Sequence, residues 1–198
     1  MSESNLKQST QDNLQGEITQ FINTQKSLIL SSIDPQGNPY ASYAPFGIGD
    51  ECLYVLLSDI ALHAVNLKLN PTPSVMIIQD ESAADELFAR IRVVYRIEAT
   101  EIEHTAGAAY EEGIKVLSDR HGQRINELSK LSDFHLFKLQ PVSGRFVKGF
   151  GRAYDFVGKS LNGNTISHMR DGHVPRPAAE HHSQQYAKAR PCVGLFIV

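Results

Sequence analysis

The residues with the widest chemical range lie in one polar stretch, Ser167 to Pro177, which reads Ser-His-Met-Arg-Asp-Gly-His-Val-Pro-Arg-Pro. Gly172, Pro175 and Pro177 break it too often for a core element, while His168 and His173 stand on either side of an Asp-Gly turn. A neutral imidazole ligates a metal through one nitrogen and needs a partner on the other to fix its tautomer and its donor strength. By itself each of these histidines equally suits an ordinary loop position.

The second set of candidates is cationic. From Phe88 to Ile102 the side chains alternate, with Ile91, Val93, Tyr95, Ile97 and Ala99 on one parity and Arg90, Arg92, Val94, Arg96 and Glu98 on the other. The arginine face either solvates the outside of a sheet or holds an anion such as a carboxylate or phosphate. Lys148 and Arg152 extend the same possibility. His63 lies on a helical segment off its main apolar stripe, and His104, His121 and His135 read as structural. The adjacent His181 and His182 in a polar tail are weak evidence for metal. Gly47-Ile48-Gly49 lacks the strand-turn-helix setting of a dinucleotide loop, so no pyridine-nucleotide site is expected.

Composition limits the classes available. With 198 residues, 41% hydrophobic, 21% charged and a net charge of -3, the chain is typical of a soluble globular protein with one ordinary domain and terminal additions. No basic excess suggests nucleic acid, no run approaches the roughly 18 apolar residues of a membrane span, and the first residues hold no apolar leader. Cys52 and Cys192 have no CxxC spacing, and a reduced, cytoplasmic protein is the expectation.

The elements that must position these residues follow in order. A loose lead-in over 1–14 precedes a helix from about Gln15 to Thr24, and Leu28–Ile33 and Tyr40–Phe46 form a hairpin about Asp34-Pro35-Gln36-Gly37-Asn38-Pro39. Cys52–Leu57 is a third strand. Ser58 or Asp59 caps a helix over Ile60–Leu69 with Leu62, Val65 and Leu69 inward. Ser74–Gln79 and Phe88–Ile102 are strands around an acidic loop, Asp80–Glu86, and two helices divided near Gly122 occupy Thr105–Leu131. Asp133–Leu139 is a strand, and after a break at Pro141 and Gly144 another runs from Arg145 to Val157. In that strand Gly149, Gly151 and Ala153 share one parity, as close approach of a backbone or a flat ligand requires. Six or seven strands with helices between them fit an antiparallel barrel over 15–160 rather than a doubly wound parallel sheet, followed by a loop over 161–177 and a tail of unassigned role over 178–198.

Several of these stretches are familiar together. Tyr43-Ala44-Pro45-Phe46, Leu62-His63-Ala64-Val65-Asn66-Leu67, Leu87-Phe88-Ala89-Arg90-Ile91-Arg92, Ser132-Asp133-Phe134, Arg145 to Tyr154 and Asp171-Gly172-His173 occur in this order and spacing. Over roughly residues 15 to 175 the chain resembles the bacterial haem-utilisation proteins of the split-barrel superfamily, the HugZ and HutZ group. The resemblance implies a mainly β, α+β fold: an antiparallel split β-barrel, FMN-binding-protein-like and homodimeric. It also implies haem as both substrate and cofactor, degraded with O₂ and electrons from an external donor or reductase to release iron. His173 then matches the axial ligand of the haem iron, preferred over His168 because Asp-Gly-His matches the family loop. Asp133 matches the carboxylate bonded to that ligand, Arg92 the arginine near the propionates, Lys148 and Arg152 further basic contacts, and His63 a residue beside Asp133 or at a subunit interface. The alternatives are an FMN-dependent oxidoreductase of the pyridoxamine-phosphate oxidase type in the same cleft, and a non-catalytic haem carrier or store.

Overall fold

The computed structural model of the chain describes residues 3–163 and 165–168. Its first element, α1 (Glu3–Thr24), begins well before the expected Gln15. Residues 3–14 contain neither Gly nor Pro, and Leu14 continues the buried stripe of Ile18 and Ile22 backward by one turn, so the segment expected to be loose is helical. Arg120 closes the far end of α1, its Nη2 donating to the carbonyls of Ile22 and Asn23 at 3.1 Å and to that of Gln25.

The hairpin of β1 (Ser27–Ile33) and β2 (Pro39–Pro45) forms where the turn residues place it. Asp34 Oδ1 accepts from the amides of Gln36 and Asn38 at 2.9 and 2.7 Å, and Gly37 takes φ +86°. A two-residue β3 (Gly47–Ile48) and β4 (Leu53–Ser58) follow, then α2 (Leu62–Leu69), β5 (Ser74–Ile78), β6 (Arg92–Ile102), α3 (Ala108–His121) and α4 (Arg124–Leu128). The chain closes with β7 (Phe134–Val147), β8 (Ala153–Val157) and β9 (Thr165–His168). All pairings are antiparallel, in the order β2-β1-β5-β6-β7-β4-β3, with β8 on β7 and β9 on β8. This is the expected split barrel: a curled sheet whose inner face holds Leu30, Val55, Ile77, Val93, Tyr95 and Phe137 in one core with Ile18 and Ile22 of α1. A smaller cluster, with Tyr54, Tyr110, Ile114, Leu117 and Leu136, packs α3 on the outer face.

Two further expectations fail for physical reasons. The break at Pro141 and Gly144 is absent, because β7 runs through both. Pro141 lies where β4 has stopped pairing at Leu139 and β8 has not begun at Ser143, and its partner Ile97 marks a register shift, so no ladder bond needs its missing N–H. Gly144 is required by contact rather than by a turn: an added Cβ would lie 2.2 Å from Phe156 Cζ. The real turn is at Gly149 and Gly151, with φ +131° and +69°, so these glycines bend the chain between β7 and β8 instead of lining a strand for a flat ligand.

The second failure concerns α2. The helix starts at Leu62 after an uncapped Ala61, and Ser58 Oγ accepts from the Ile60 amide at 3.2 Å instead of capping the helix. Its inward residues are Ala64, Asn66 and Leu67, whereas Leu62, Val65 and Leu69 are exposed. A buried pair explains the choice, since Asn66 Nδ2 donates to Ser32 Oγ at 3.0 Å and so turns the polar residue inward.

Gly144→Ala is expected to destabilise the fold by about 1–3 kcal/mol or more through overpacking against Phe156. Thermal melting measures this, and a variant as stable as wild type contradicts the packing described.

Candidate functional site

Register alone gathers the cations. Arg92 pairs with Val147 and Val147 with Ala153, so Arg92, Lys148 and Arg152 sit together at one end of β6, β7 and β8. Arg92 is half-buried and uses Nη1 on the Arg90 carbonyl at 3.0 Å, leaving Nε and Nη2 without a hydrogen-bond partner among the described residues. Arg152 is exposed, and its Nη2 reaches only the Lys148 carbonyl at 3.4 Å. Lys148 is answered within the chain by an ion pair to Glu17 of α1. Arg90 stands outside the strand, committed to the Gln79 carbonyl through Nε at 2.9 Å and to Glu81 at 3.1 Å, so the expected row of three arginines does not form.

Beside this basic end a cleft of about 610 Å³ opens between α1, the segment after β5, and the end of β7. Phe21, Ile91 and Phe146 are among its apolar walls, and Glu17 and Lys148 are also in its lining. The volume is within the range of small-molecule sites.

Asp133 and His63 belong to the opposite end of β7. Asp133 directly precedes β7; its Oδ2 accepts from Ser58 Oγ at 2.8 Å and its carbonyl from the Asp59 amide at 2.8 Å, while Oδ1 has no partner among the described residues. His63, one residue into α2, is half-buried, with Nδ1 2.9 Å from Ser42 Oγ. Ser42 donates its own hydrogen to the Leu30 carbonyl at 3.3 Å, so Nδ1 carries the proton in that contact and Nε2 is left as the acceptor. Burial holds the imidazole's proton affinity below its ordinary value and keeps the ring neutral. His135 was read as structural, yet it bonds two carboxylates, Glu101 at 2.6 Å and Asp59 at 2.8 Å. Those partners are 34 and 76 residues away, and only the pairing of β4, β7 and β6 brings them together.

Comparison with known proteins decides the family. Residues 14–148 match the family model for pyridoxamine 5'-phosphate oxidase. Heme oxygenase HutZ of Vibrio cholerae is 43% identical over 171 residues, which cover 84% of this chain and 96% of that protein. The chain belongs to the HutZ/HugZ group of the pyridoxamine 5'-phosphate oxidase-like family. The crystal structure of HutZ, described as the heme storage protein of Vibrio cholerae, aligns with a TM-score of 0.61 over 65% of this chain and 89% of that chain. Campylobacter jejuni ChuZ aligns at 30% identity with a TM-score of 0.72 over 86% of this chain and 68% of its own.

Within one chain of this HutZ/HugZ-group protein, the two sets of candidates do not meet. The 14 residues of β7 span roughly 43–46 Å of extended backbone, at about 3.3 Å per residue, between Asp133 and the basic end. His168 pairs with Tyr154, which pairs with Phe146, so the last described residue lies at the basic end of the sheet. His173 follows five residues later and lies outside the described residues, as does the tail over 178–198.

The neutral His63 yields a pH prediction. Above the ordinary histidine value near 6.5 the ring is neutral folded or unfolded; as pH falls below it, the unfolded chain takes up the proton first, so stability drops. One proton bounds the slope at about 1.4 kcal/mol per pH unit, less for a half-exposed ring. His63→Asn should flatten the melting temperature between pH 5 and 7, and an unchanged profile contradicts the neutral buried ring.

Proposed function

We propose that this chain binds haem and degrades it oxidatively with O₂ and electrons from an external donor, in a site assembled from two copies. The observation that carries the reading is that Arg92 Nε and Nη2 have no partner among the described residues, at the end of the sheet where His168 lies, five residues before His173 in the sequence. Arg92 and Arg152 suit the carboxylates of an apolar macrocycle, since a guanidinium gives fixed, charge-assisted donors. Five residues reach at most about 18 Å, so His173 can ligate the iron of a haem held at this end. Bound haem supplies the iron that takes O₂ and the ring that is oxidised. The family name of HutZ supports the enzymatic reading.

Asp133 is too far along β7 to meet His173 of its own chain. In a homodimer a second copy supplies it, with Oδ1 accepting the imidazole N–H, fixing the tautomer and raising the ligand's donor strength. The surface next to Asp133 suits that assembly. Ile60, Leu62 and Leu69 at α2 and Tyr43 on β2 are 88%, 58%, 63% and 71% exposed, which is costly for a monomer and suited to self-association. His63, on the same helix, presents its Nε2 acceptor toward this contact region in the proposed dimer.

A second reading, a haem store, is favoured by the description of the HutZ crystal structure. Haem titration followed by ascorbate under air separates the two. Loss of the Soret band is expected; haem bound and unchanged under reductant favours storage, and flavin absorbance in the purified protein favours an FMN enzyme. Arg92→Ala should weaken haem binding about ten- to a hundredfold, the about 1.5–3 kcal/mol of a charge-assisted hydrogen bond. His173→Ala should abolish the ligand-bound spectrum while His168→Ala keeps it; the reverse assigns the ligand to His168. Replacing Tyr43 and Leu62 by Asp should give monomers by light scattering, and a dimer that persists refutes this interface.

A further inference from the structure

We propose that His135 is a positioning residue for Asp133 and, through it, for the imidazole that ligates haem iron; the inference rests on the role given to Asp133 above. Four side chains from four elements form one run of contacts: Glu101 on β6, His135 on β7, Asp59 in the turn after β4, and Lys68 on α2. The contacts are 2.6, 2.8 and 2.7 Å. A carboxylate only accepts, so both ring nitrogens of His135 must carry hydrogen to bond Glu101 and Asp59 together. The ring then bridges two anions across β7, and Lys68 on Asp59 Oδ1 balances the remaining charge. The Lys68 hydrogen bond first, and His135 next, hold the Asp59 carboxyl below its ordinary value.

What this chain fixes is the turn that holds Asp133. The Asp59 amide donates to the Asp133 carbonyl, Ser58 Oγ donates to Asp133 Oδ2, and the Ser58 carbonyl takes the Ala61 amide at 2.9 Å just before α2 begins. Asp133 is therefore gripped by a two-residue segment that is itself held by the β4–β7 pairing at Ser58 and by His135 and Lys68 at Asp59. With Oδ2 committed to Ser58, Oδ1 is the carboxylate oxygen left without a partner among the described residues. Without the His135 bridge, Asp59 keeps Lys68 as its side-chain partner among the described residues, Glu101 loses the one it has there, and the Ser58–Asp59 turn is left to the Ser58–Phe134 strand pairing and the Asp59 amide, so the Ser58 hydroxyl orients Asp133 less tightly. A weaker hydrogen bond from the ligand imidazole to Asp133 follows, and with it a weaker iron–imidazole bond.

The test is the iron–imidazole stretching frequency of the ferrous haem-loaded full-length chain, measured by resonance Raman in a double-mutant cycle. Asp133→Asn and His135→Leu should each lower the frequency, and the double variant should match Asp133→Asn alone, because the two act through one bond. Glu101→Gln is the milder variant and should shift the frequency in the same direction by less. A wild-type frequency in both His135→Leu and Glu101→Gln, or a double variant showing the sum of the single shifts, overturns the inference while leaving Asp133 in place. A wild-type frequency in Asp133→Asn overturns the role of Asp133 and this inference with it.

Discussion

The continuity of β7 is the constraint on which the rest depends. Among the described strands it is the one bonded to three others, to β4 over its first half, β8 over its last residues and β6 along most of its length. Its passage through Pro141 needs the gap between the β4 and β8 pairings, and its passage through Gly144 needs the space filled by Phe156. Phe156 in turn stacks edge-on against Tyr95, whose hydroxyl donates to the Leu161 carbonyl at 2.6 Å and ties the following segment to the core. Fixing β7 as a single unbroken strand sets its two ends apart along the sheet, and so limits which chemistry one chain can bring together.

The two ends differ in how their charge is settled. At the Asp133 end, Glu101, His135, Asp59 and Lys68 bond one another in sequence and tie the turn to β6, β7 and α2. At the other end Lys148 is answered by Glu17, while half-buried Arg92 retains donors without a partner among the described residues. An arginine left so is a poor stabiliser of its own fold and a good receptor for an external carboxylate. The proposed haem site uses that asymmetry: one copy gives the anion-binding end and the loop histidine, and the other gives the carboxylate with its orientation already set.

Much of this was legible in the residues. The Asp34–Asn38 turn carried its own hydrogen-bond chemistry, the parity of Val93 to Ala99 predicted the buried face of β6, and Gly122 divided α3 from α4 as expected. The misreadings share a cause: they turned on contacts with distant residues. Pro141 and Gly144 looked like a break because their tolerance depends on β8; Leu62, Val65 and Leu69 looked inward because the buried Asn66–Ser32 pair cannot be seen along one helix. The His135 bridge gave no local signal either. Asp133 and Arg92 were found through the family resemblance, but their placement at opposite ends of one strand could be read only once β7 was known to be unbroken.

The most direct measurement is complementation between two defective chains. Asp133→Asn and His173→Ala variants are each purified, mixed under conditions that exchange subunits, loaded with haem and supplied with reductant under air. A site built from two copies gives every mixed dimer one pocket with both Asp133 and His173 intact, so haem degradation should reappear in the mixture though neither variant alone supports it. No recovery in a mixture shown to contain mixed dimers contradicts a site shared between chains.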